Sequence, residues 1–339
     1  MLDETRSVAT VIAALRAKID GTISPLLDAG PVALIDFPDH SNVGDSAIWL
    51  GERAFFDKHA IRIGYCSSLK THSPEELTAA MPEGGTVFLH GGGNFGTMWK
   101  AHQDLRIDQL RRLRGHRIVQ LPQSLFFDDD AAVAETARAI EQHGRFTLLV
   151  RDVPSLQFAS RHFPCEVLLC PDMAFYIGAL DRQRPSVDIF FLLRTDHERA
   201  IEGEIEGNAC TFSSGDWLSE SRHAVRRVSA MARLLSLGDD PRVARLKKYD
   251  RLAQARLKRG IALLSSGEVV VTDRLHGHIL ATLLGIPHVA LDNSYRKLGN
   301  FIDAWTGDID IVHVADTLHR ASSLAAGLLK QRQRQKVAA

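Results

Sequence analysis

Residues 269–293 read VVVTDRLHGHILATLLGIPHVALDN, and this stretch predicts a strand, a loop, a helix and a second short strand. Its β-branched start gives way to Arg274, His276 and His278 at the carboxyl end of the first strand. In open α/β sheets, ligands bind in the crevice outside those strand ends. A guanidinium can hold a carboxylate or phosphate through two parallel hydrogen bonds, and an imidazole can transfer a proton near neutral pH. The stretch therefore predicts an anion site beside a proton donor.

The predicted helix begins at about Leu275, which fixes where the charged side chains around it lie. Arg274 is then at the mouth of the helix and His276 in its first turn, where unpaired backbone N–H groups favour an anion. Each of these residues could equally be an ordinary surface or capping residue. The other strand ends of the chain bear on this choice.

Length and composition exclude several classes of protein. A chain of 339 residues with 45% hydrophobic content is long enough for about two domains. Its formal net charge of zero gives no sign of a nucleic-acid partner. The four cysteines are unpaired in spacing, which predicts a reducing compartment and no zinc site. Without a signal-peptide segment or a long apolar run, we expect a cytoplasmic protein.

Strands alternate with helices along the whole chain, which predicts an α/β fold with parallel, doubly wound sheets. The first five predicted strands are residues 32–37, 86–90, 117–121, 146–150 and 166–169. A charged, proline-containing segment at 181–185 then predicts a boundary between an N-terminal domain, 1–183, and a C-terminal domain, 184–339. A second sheet is expected to begin at 188–193.

Three further helices are predicted in the C-terminal half. Residues 221–235 read as one helix, and apolar residues from Leu246 to Leu264 form a longer one, whose opposite basic face is expected to be solvated. The last helix, about 315–330, is expected to pack back on the N-terminal domain. The basic segment 330–336 is expected to be a frayed tail, or a contact with an anionic membrane surface.

Two glycine-containing segments follow predicted strands of the first sheet. In the first, Asn42, Gly44 and Asp45 precede a helix, where they could cap it or bind sugar hydroxyls. The second, a predicted loop at residues 91–96, has four glycines in six positions, so side chains there would obstruct either a neighbouring backbone or a ligand. Its candidate ligand-binding residues are Gly92, Gly93 and Asn94.

Polar side chains also occur at later strand ends, and Ser124, Arg151 and Arg194 are the candidates among them. Arg151 could complete an anion clamp with Arg274. The alternative is a structural ion pair of Arg151 with Asp152 or Asp172.

Taken in chain order, the motifs across about residues 32–300 resemble those of the polysaccharide pyruvyl transferases. They are Asn42-x-Gly-Asp, His90-Gly-Gly-Gly-Asn, Arg151-Asp152 with Ser155, Arg194-x-Asp, Arg274-Leu-His-Gly and Asp292-Asn-Ser-Tyr-x-Lys297. The resemblance implies two Rossmann-like domains arranged as in the GT-B glycosyltransferases, with the active site in the interdomain cleft. It also implies transfer of the pyruvyl group of phosphoenolpyruvate to a sugar, with formation of a ketal and release of phosphate.

In that family, two arginines and a backbone group hold phosphoenolpyruvate, and a histidine is the general acid. The matching residues here are Arg151, Arg274, Leu275 through its backbone, and His276. We also expect His278 and Lys297 to contact substrate. Phosphoenolpyruvate is the donor substrate, and neither a metal nor another cofactor is expected.

The expected acceptor is a saccharide of a surface or exopolysaccharide repeat unit, lipid-linked at the inner face of the cell membrane, with peripheral membrane association and oligomerisation left open. Two other functions stay open at this point. A sugar-nucleotide glycosyltransferase of the GT-B type would use glycine-rich strand ends equally well, because a fold does not fix a function. A non-catalytic carbohydrate-binding or regulatory protein could keep the same cleft.

Overall fold

The computed structural model describes residues 6–81, 85–194, 210–292 and 296–338. Within these ranges the chain forms two parallel β-sheets flanked by helices, which is an α/β fold. Among the described helices, none combines the length and the apolar character that crossing a membrane requires.

The first sheet is built from the strands that lie before residue 170, and all of its pairings are parallel. These strands are β1 (Val32–Ile35), β2 (Ile63–Ser67), β3 (Thr86–Leu89), β4 (Gly92–Gly96), β5 (Arg117–Phe126), β6 (Phe146–Val150) and β7 (Glu166–Leu169). Their order is β2-β1-β3-β5-β6-β7, and β4 pairs with β5. The strand order reverses between β1 and β3, and ligand crevices lie at such switch points.

The second sheet repeats this arrangement with fewer strands. Its strands are β8 (Val187–Leu192), β9 (Phe212–Gly215), β10 (Gly267–Thr272), β11 (His288–Leu291) and β12 (Val312–Ala315). They lie in the order β12-β11-β10-β8-β9, again all parallel, so the switch point is between β8 and β10. The stretch that opened the sequence analysis supplies β10 and β11, at the centre of this sheet.

Helices connect the strands and cover both sheets. They are α1 (Val8–Ile23), α2 (Val43–Lys58), α3 (Pro74–Ala80), α4 (Lys100–Arg112), α5 (Asp130–His143), α6 (Val153–His162), α7 (Arg222–Leu234), α8 (Pro241–Ser265), α9 (Leu275–Leu283), α10 (Lys297–Trp305) and α11 (Leu318–Ala338). The predicted start of α9 at Leu275 is confirmed. The last helix runs on through Ala338 instead of fraying, and it packs on the second sheet.

Sequence patterns predicted the central strands but not all of the others. Strands β2 and β12 were not predicted, and neither were helices α3, α4 and α10. The prediction that residues 91–96 form only a loop was wrong, because Gly92–Gly96 is strand β4, hydrogen-bonded to β5. The predicted domain boundary at residue 183 stays a prediction. The last strand of the first sheet, β7, ends before this residue, and the first strand of the second sheet, β8, begins after it.

Helix α2 of the first half packs tightly against the polypeptide that joins the two sheets. Its Gly51 lies so close to the short 3-10 helix Met173–Ile177 that a Cβ at position 51 would overlap the Met173 carbonyl. On another side, α2 packs against α8 and α9 of the second half. One apolar core, which contains both Phe88 of β3 and Val270 of β10, therefore runs through both halves.

Substitution of Gly51 by Ala tests this packing. We expect Gly51→Ala to lower the free energy of unfolding by roughly 1–3 kcal/mol or more, because backbone on both sides must move to admit the methyl group. The matched control is Gly21→Ala in α1, where no atom lies within 4 Å of the added carbon. That substitution should raise stability by about 0.5–1 kcal/mol through helix propensity. Urea denaturation of the full chain measures both, and equal stabilities for the two variants would contradict the described packing.

Candidate active site

Arg274 occupies the N-cap position of α9, directly after β10. Its backbone N–H donates to the Thr272 hydroxyl at 3.1 Å, which fixes the turn between strand and helix. The guanidinium is 4% exposed, donates to the Asp216 carboxylate at 2.6 Å and lies over the Trp217 ring. Asp216 directly follows β9, so the ion pair connects the carboxyl ends of β10 and β9. Strand β10 borders the switch point, and β9 is one strand away from it.

His276 lies in the first turn of α9 and faces helix α2 of the first half. A Cβ at Gly44 would come within 2.5 Å of the His276 ring atoms Cγ and Nδ1, so only a glycine admits the ring at this distance. The Nε2 atom of His276 lies 3.4 Å from Oδ2 of Asp172. His276 is therefore held between α2 and a carboxylate that follows the first sheet.

Arg151 lies at the carboxyl end of β6 and meets the same carboxylate. Its guanidinium is 2% exposed, and Nη1 donates to Oδ2 of Asp172 at 2.6 Å while Nε donates to the Ser124 hydroxyl at 2.9 Å. Ser124 in turn donates to Asp152 at 2.6 Å. The structural pair of Arg151 with Asp172 is thus present, and the same carboxylate lies beside His276.

Asp172 is fully buried, and its other oxygen accepts the Ala174 N–H at 2.9 Å. Burial alone would raise the pKa of Asp172, but the adjacent His276 and Arg151 hold it well below its usual range. The carboxylate is therefore charged at neutral pH. It contacts Arg151 at the edge of the first sheet and His276 in α9, the helix that follows β10 of the second sheet.

The start of α2 contributes a second polar group to this region. Asn42 caps the helix by accepting the Gly44 N–H at 3.0 Å, and its amide donates to Asp45 at 2.8 Å. Burial alone would raise the pKa of Asp45, but its histidine and arginine neighbours, His40 first among them, lower it. Gly92 lies opposite, since a Cβ there would be 3.7 Å from Asp45 Oδ1.

His90 belongs to one of the sequence motifs, but nothing in the sequence predicted that it forms a buried pair. His90 directly follows β3, and its Nδ1 is 2.8 Å from Glu52 of α2, whose side chain is fully buried. Glu52 also accepts the Gly91 N–H at 2.9 Å. Burial would lower the pKa of His90, but the Glu52 carboxylate raises it overall. The His90 Nε2 atom is buried and has no hydrogen-bond partner among the described residues.

Asn94, a predicted ligand contact, is hydrogen-bonded within the protein, and its ligand contact stays a prediction. Its backbone and side chain bond Gln123 at 3.0 and 2.8 Å, and its side chain also bonds Arg106 and Asp36. These bonds explain Asn94 as a brace for β4. Gly93 lies beside it in the same strand.

His278 lies apart from the cluster, and its role as a substrate-binding residue stays a prediction. It is fully buried, with Nδ1 2.7 Å from His288 Nε2 and its Nε2 2.9 Å from the Thr306 hydroxyl. Residues two positions apart on a helix lie on opposite sides of it, so His278 points away from the side that carries His276.

Arg194 follows β8, and its backbone N–H donates to Asp273 at 2.9 Å, which places it beside the start of α9. Leu275, the first residue of α9, is buried in the core that joins both halves. Lys297 begins α10, but its side chain is outside the described part of the chain. The motif positions Asp196 and Tyr295 are outside it too.

Comparison with known proteins adds a second line of evidence to this geometry. The family model described as polysaccharide pyruvyl transferase matches residues 42–295. The chain belongs to the polysaccharide pyruvyl transferase family. It is accordingly a transferase. The match spans the α2 N-terminus, the Arg151 segment and the Arg274–His276 turn, so the described cluster lies within the family region.

Two curated relatives cover most of the chain. Pyruvyl transferase 1 of Schizosaccharomyces pombe is 33% identical over 318 residues, which is 86% of this chain and 75% of that protein. The Bacillus subtilis protein named "Putative pyruvyl transferase EpsO" is 28% identical over 323 residues, which is 92% of this chain and 97% of that protein.

A solved structure shares the fold. The crystal structure of an uncharacterized protein from Klebsiella pneumoniae superposes with a TM-score of 0.61 at 18% identity, over 89% of this chain and 99% of that one. At this identity the likeness concerns the fold alone.

The buried imidazoles of His278 and His288 predict that the fold loses stability in acid. Burial lowers the pKa of His288 to about 4 and that of His278 well below its usual value. Between about pH 6.5 and 4 the unfolded chain binds more protons, so stability should fall as pH falls through this window. Each histidine contributes a slope of about 1.4 kcal/mol per pH unit.

Unfolding of wild type and His288→Gln between pH 5 and pH 7 measures this effect. We expect the variant to be less stable than the wild type at pH 7. Its free energy of unfolding should change less between pH 7 and pH 5. Identical slopes would show that His288 is not kept neutral by burial.

Proposed function

We propose that this protein transfers the pyruvyl group of phosphoenolpyruvate to two hydroxyls of a polysaccharide sugar, with formation of a ketal and release of phosphate. The observation that carries the proposal is the buried set of Arg151, Asp172 and His276, with Arg274 two residues from the histidine. Family membership supports the same reaction class. We further propose that the two halves are arranged as in GT-B enzymes and that substrates bind between the sheets.

The charges of phosphoenolpyruvate match this set. The molecule carries a carboxylate and a phosphate on a three-carbon frame, and arginine binds both groups through paired N–H donors. Arg151 uses Nε and Nη1 in the bonds to Ser124 and Asp172, so its Nη2 is the donor that we assign to the substrate. Arg274 and the first backbone N–H groups of α9, Leu275 included, provide the second anion contact at a helix N-terminus.

His276 is the proposed general acid. Its ring lies beside the ionised Asp172 carboxylate, and the imidazolium is the form that donates the proton. The imidazolium protonates the methylene carbon of phosphoenolpyruvate while a sugar hydroxyl oxygen bonds to the central carbon. The bond from that carbon to the phosphate oxygen then breaks, and phosphate leaves with the electron pair. The second hydroxyl attacks the resulting oxocarbenium centre and gives its proton to the now neutral His276.

The first hydroxyl also has to lose a proton, which requires a base. We assign this role to His90, because Glu52 holds its Nδ1 and its Nε2 is buried without a partner among the described residues. The proton that His90 takes up goes to the departing phosphate, so charge and hydrogen atoms balance. Asp45 and Gly92, beside this end of α2, are the proposed contacts for the sugar hydroxyls.

The acceptor in this proposal is a repeat-unit saccharide of a surface or exopolysaccharide, carried on a lipid at the inner membrane face. The reaction as written uses phosphoenolpyruvate as its donor, and the expectation that it needs no metal stays a prediction. A sugar-nucleotide glycosyltransferase is the competing function, and ligand binding separates the two.

Phosphoenolpyruvate binding and turnover test the donor and the acid. We expect calorimetry to show saturable binding of phosphoenolpyruvate and none of sugar nucleotides. His276→Gln should keep phosphoenolpyruvate affinity within a few fold and lose a factor of about 10² to 10⁴ in phosphate release with an acceptor. The control is His162→Gln at the exposed far end of α6, which should turn over normally. Saturable binding of a sugar nucleotide alone would refute the proposal.

Glu52→Gln tests the base, since it keeps an acceptor for the Gly91 N–H and removes only the charge. Without the carboxylate the His90 pKa falls, so the acidic limb of the rate profile should move to lower pH. The rate on the plateau should fall by at least about 10-fold, because the base is weaker and less well oriented. A lowered rate with an unmoved pH profile would mean that the pair is only structural.

A further inference from the structure

The hairpin of α7 and α8 ends in exposed apolar side chains, which we call the apolar tip. Each residue of the apolar tip is between 44% and 74% exposed. The tip consists of Met231, Leu234, Leu235, Leu237 and Val243. A contiguous exposed cluster of this kind on a soluble fold commonly marks an interaction surface.

Helix α7 is held to the body of the protein by its core-facing side. Val225 and Val228 pack against the main core, and Ala232 is fully buried. Met231, Leu234 and Leu235 are spaced three and four residues apart, so they lie together along one side of the helix, next to its core-facing side, and all three are exposed. The apolar tip is therefore a surface of a fixed helix.

The same hairpin is strongly basic. Residues 222–251 contain nine lysines and arginines against three aspartates, an excess of six positive charges in a chain that is neutral as a whole. Arg226, Arg227 and Arg233 of α7 are exposed and form no ion pair with any described residue. Arg227 lies one helical turn before Met231, so cations adjoin the apolar tip.

We propose that the apolar tip inserts into the surface of an anionic lipid bilayer and that the exposed arginines of α7 bind its lipid phosphates. Apolar side chains bordered by cations on a helix match the boundary between acyl chains and anionic headgroups. Pairing with a second copy fits less well, because two surfaces with the same charge excess repel each other.

Helix α8 connects this surface to the candidate active site. From Val243 to Arg259 the helix rises about 24 Å, at about 1.5 Å per residue. At that end Arg259 donates to the Trp217 carbonyl at 2.9 Å and to the Ser41 carbonyl at 2.5 Å. Trp217 adjoins Asp216, and Ser41 precedes the α2 cap, so α8 holds a loop from each half at a fixed distance from the apolar tip.

Vesicle sedimentation with the full chain at physiological salt tests the proposal. We expect binding to vesicles of phosphatidylcholine with about one third phosphatidylglycerol, and little binding to phosphatidylcholine alone. Leu234→Ser/Leu235→Ser/Leu237→Ser should reduce binding at least 10-fold, with all charges kept. Arg226→Gln/Arg227→Gln/Arg233→Gln should reduce it about 100-fold, from about 1 kcal/mol for each arginine.

Two controls make the test specific. Arg114→Gln/Arg138→Gln/Arg161→Gln removes three exposed cations from the first half and should bind as wild type does. Arg332→Gln/Arg334→Gln removes charge from α11, and it should also bind normally if the hairpin is the contact.

Three outcomes would overturn the inference. They are no binding to the anionic vesicles, normal binding by both hairpin variants, and loss of self-association in light scattering by the hairpin variants without vesicle binding. This inference deepens the proposed lipid-linked acceptor, but its readout does not require turnover. Failure of vesicle binding with intact pyruvyl transfer would reject the surface alone, and the reverse result would reject only the proposed reaction.

Discussion

The buried Asp172 carboxylate is the interaction on which the candidate site depends. Asp172 follows the last strand of the first sheet. It contacts Arg151, at the end of β6 in that sheet, and His276, which follows β10 of the second sheet. A buried carboxylate in this position has to be compensated, because loss of either partner leaves an uncompensated charge in a poorly solvated place. The two sheets are therefore joined by charge at the same point where the proposed chemistry takes place.

The shape of α2 makes this arrangement feasible. Glycines at 44 and 51 let the helix approach His276 on one side and the Met173 backbone on another. The helix also supplies Glu52 to His90 and is capped by Asn42. One helix thus contacts both proposed proton-transferring histidines, and its close packing explains why its small residues matter as much as its polar ones.

The sequence alone predicted the parts of the site that local rules determine. Arg274 and His276 were placed correctly at the start of α9, because the end of a buried strand and the start of a helix are encoded within a few residues. The partners of these two residues could not be predicted in the same way. Asp216 lies 58 positions from Arg274, and no local sequence pattern connects the two. Asp172 was weighed only as a partner of Arg151, and its contact with His276 depends on how the halves meet.

One wrong prediction and one unexpected placement have simple physical causes. The glycines of β4 read as a loop because glycine has low strand propensity, while the β5 hydrogen bonds that make them a strand come from residues about thirty positions away. His278 was grouped with His276 by closeness in sequence, although a helix turns two such positions to opposite sides. Strand β12 was missed because only its last residue is fully buried, so it lacks the apolar pattern of the central strands.

The reverse side of α9 has a consequence for the chemistry on its front. There the neutral imidazole of His278, a residue of α9, is hydrogen-bonded to His288 of β11 and to the Thr306 hydroxyl, and these bonds hold the helix in place. Burial lowers the pKa of His288 to about 4, whereas the neighbouring cations hold the pKa of Asp172 well below its usual range. Acid would therefore protonate His288, on the reverse side of α9, while the carboxylate that faces His276 was still ionised.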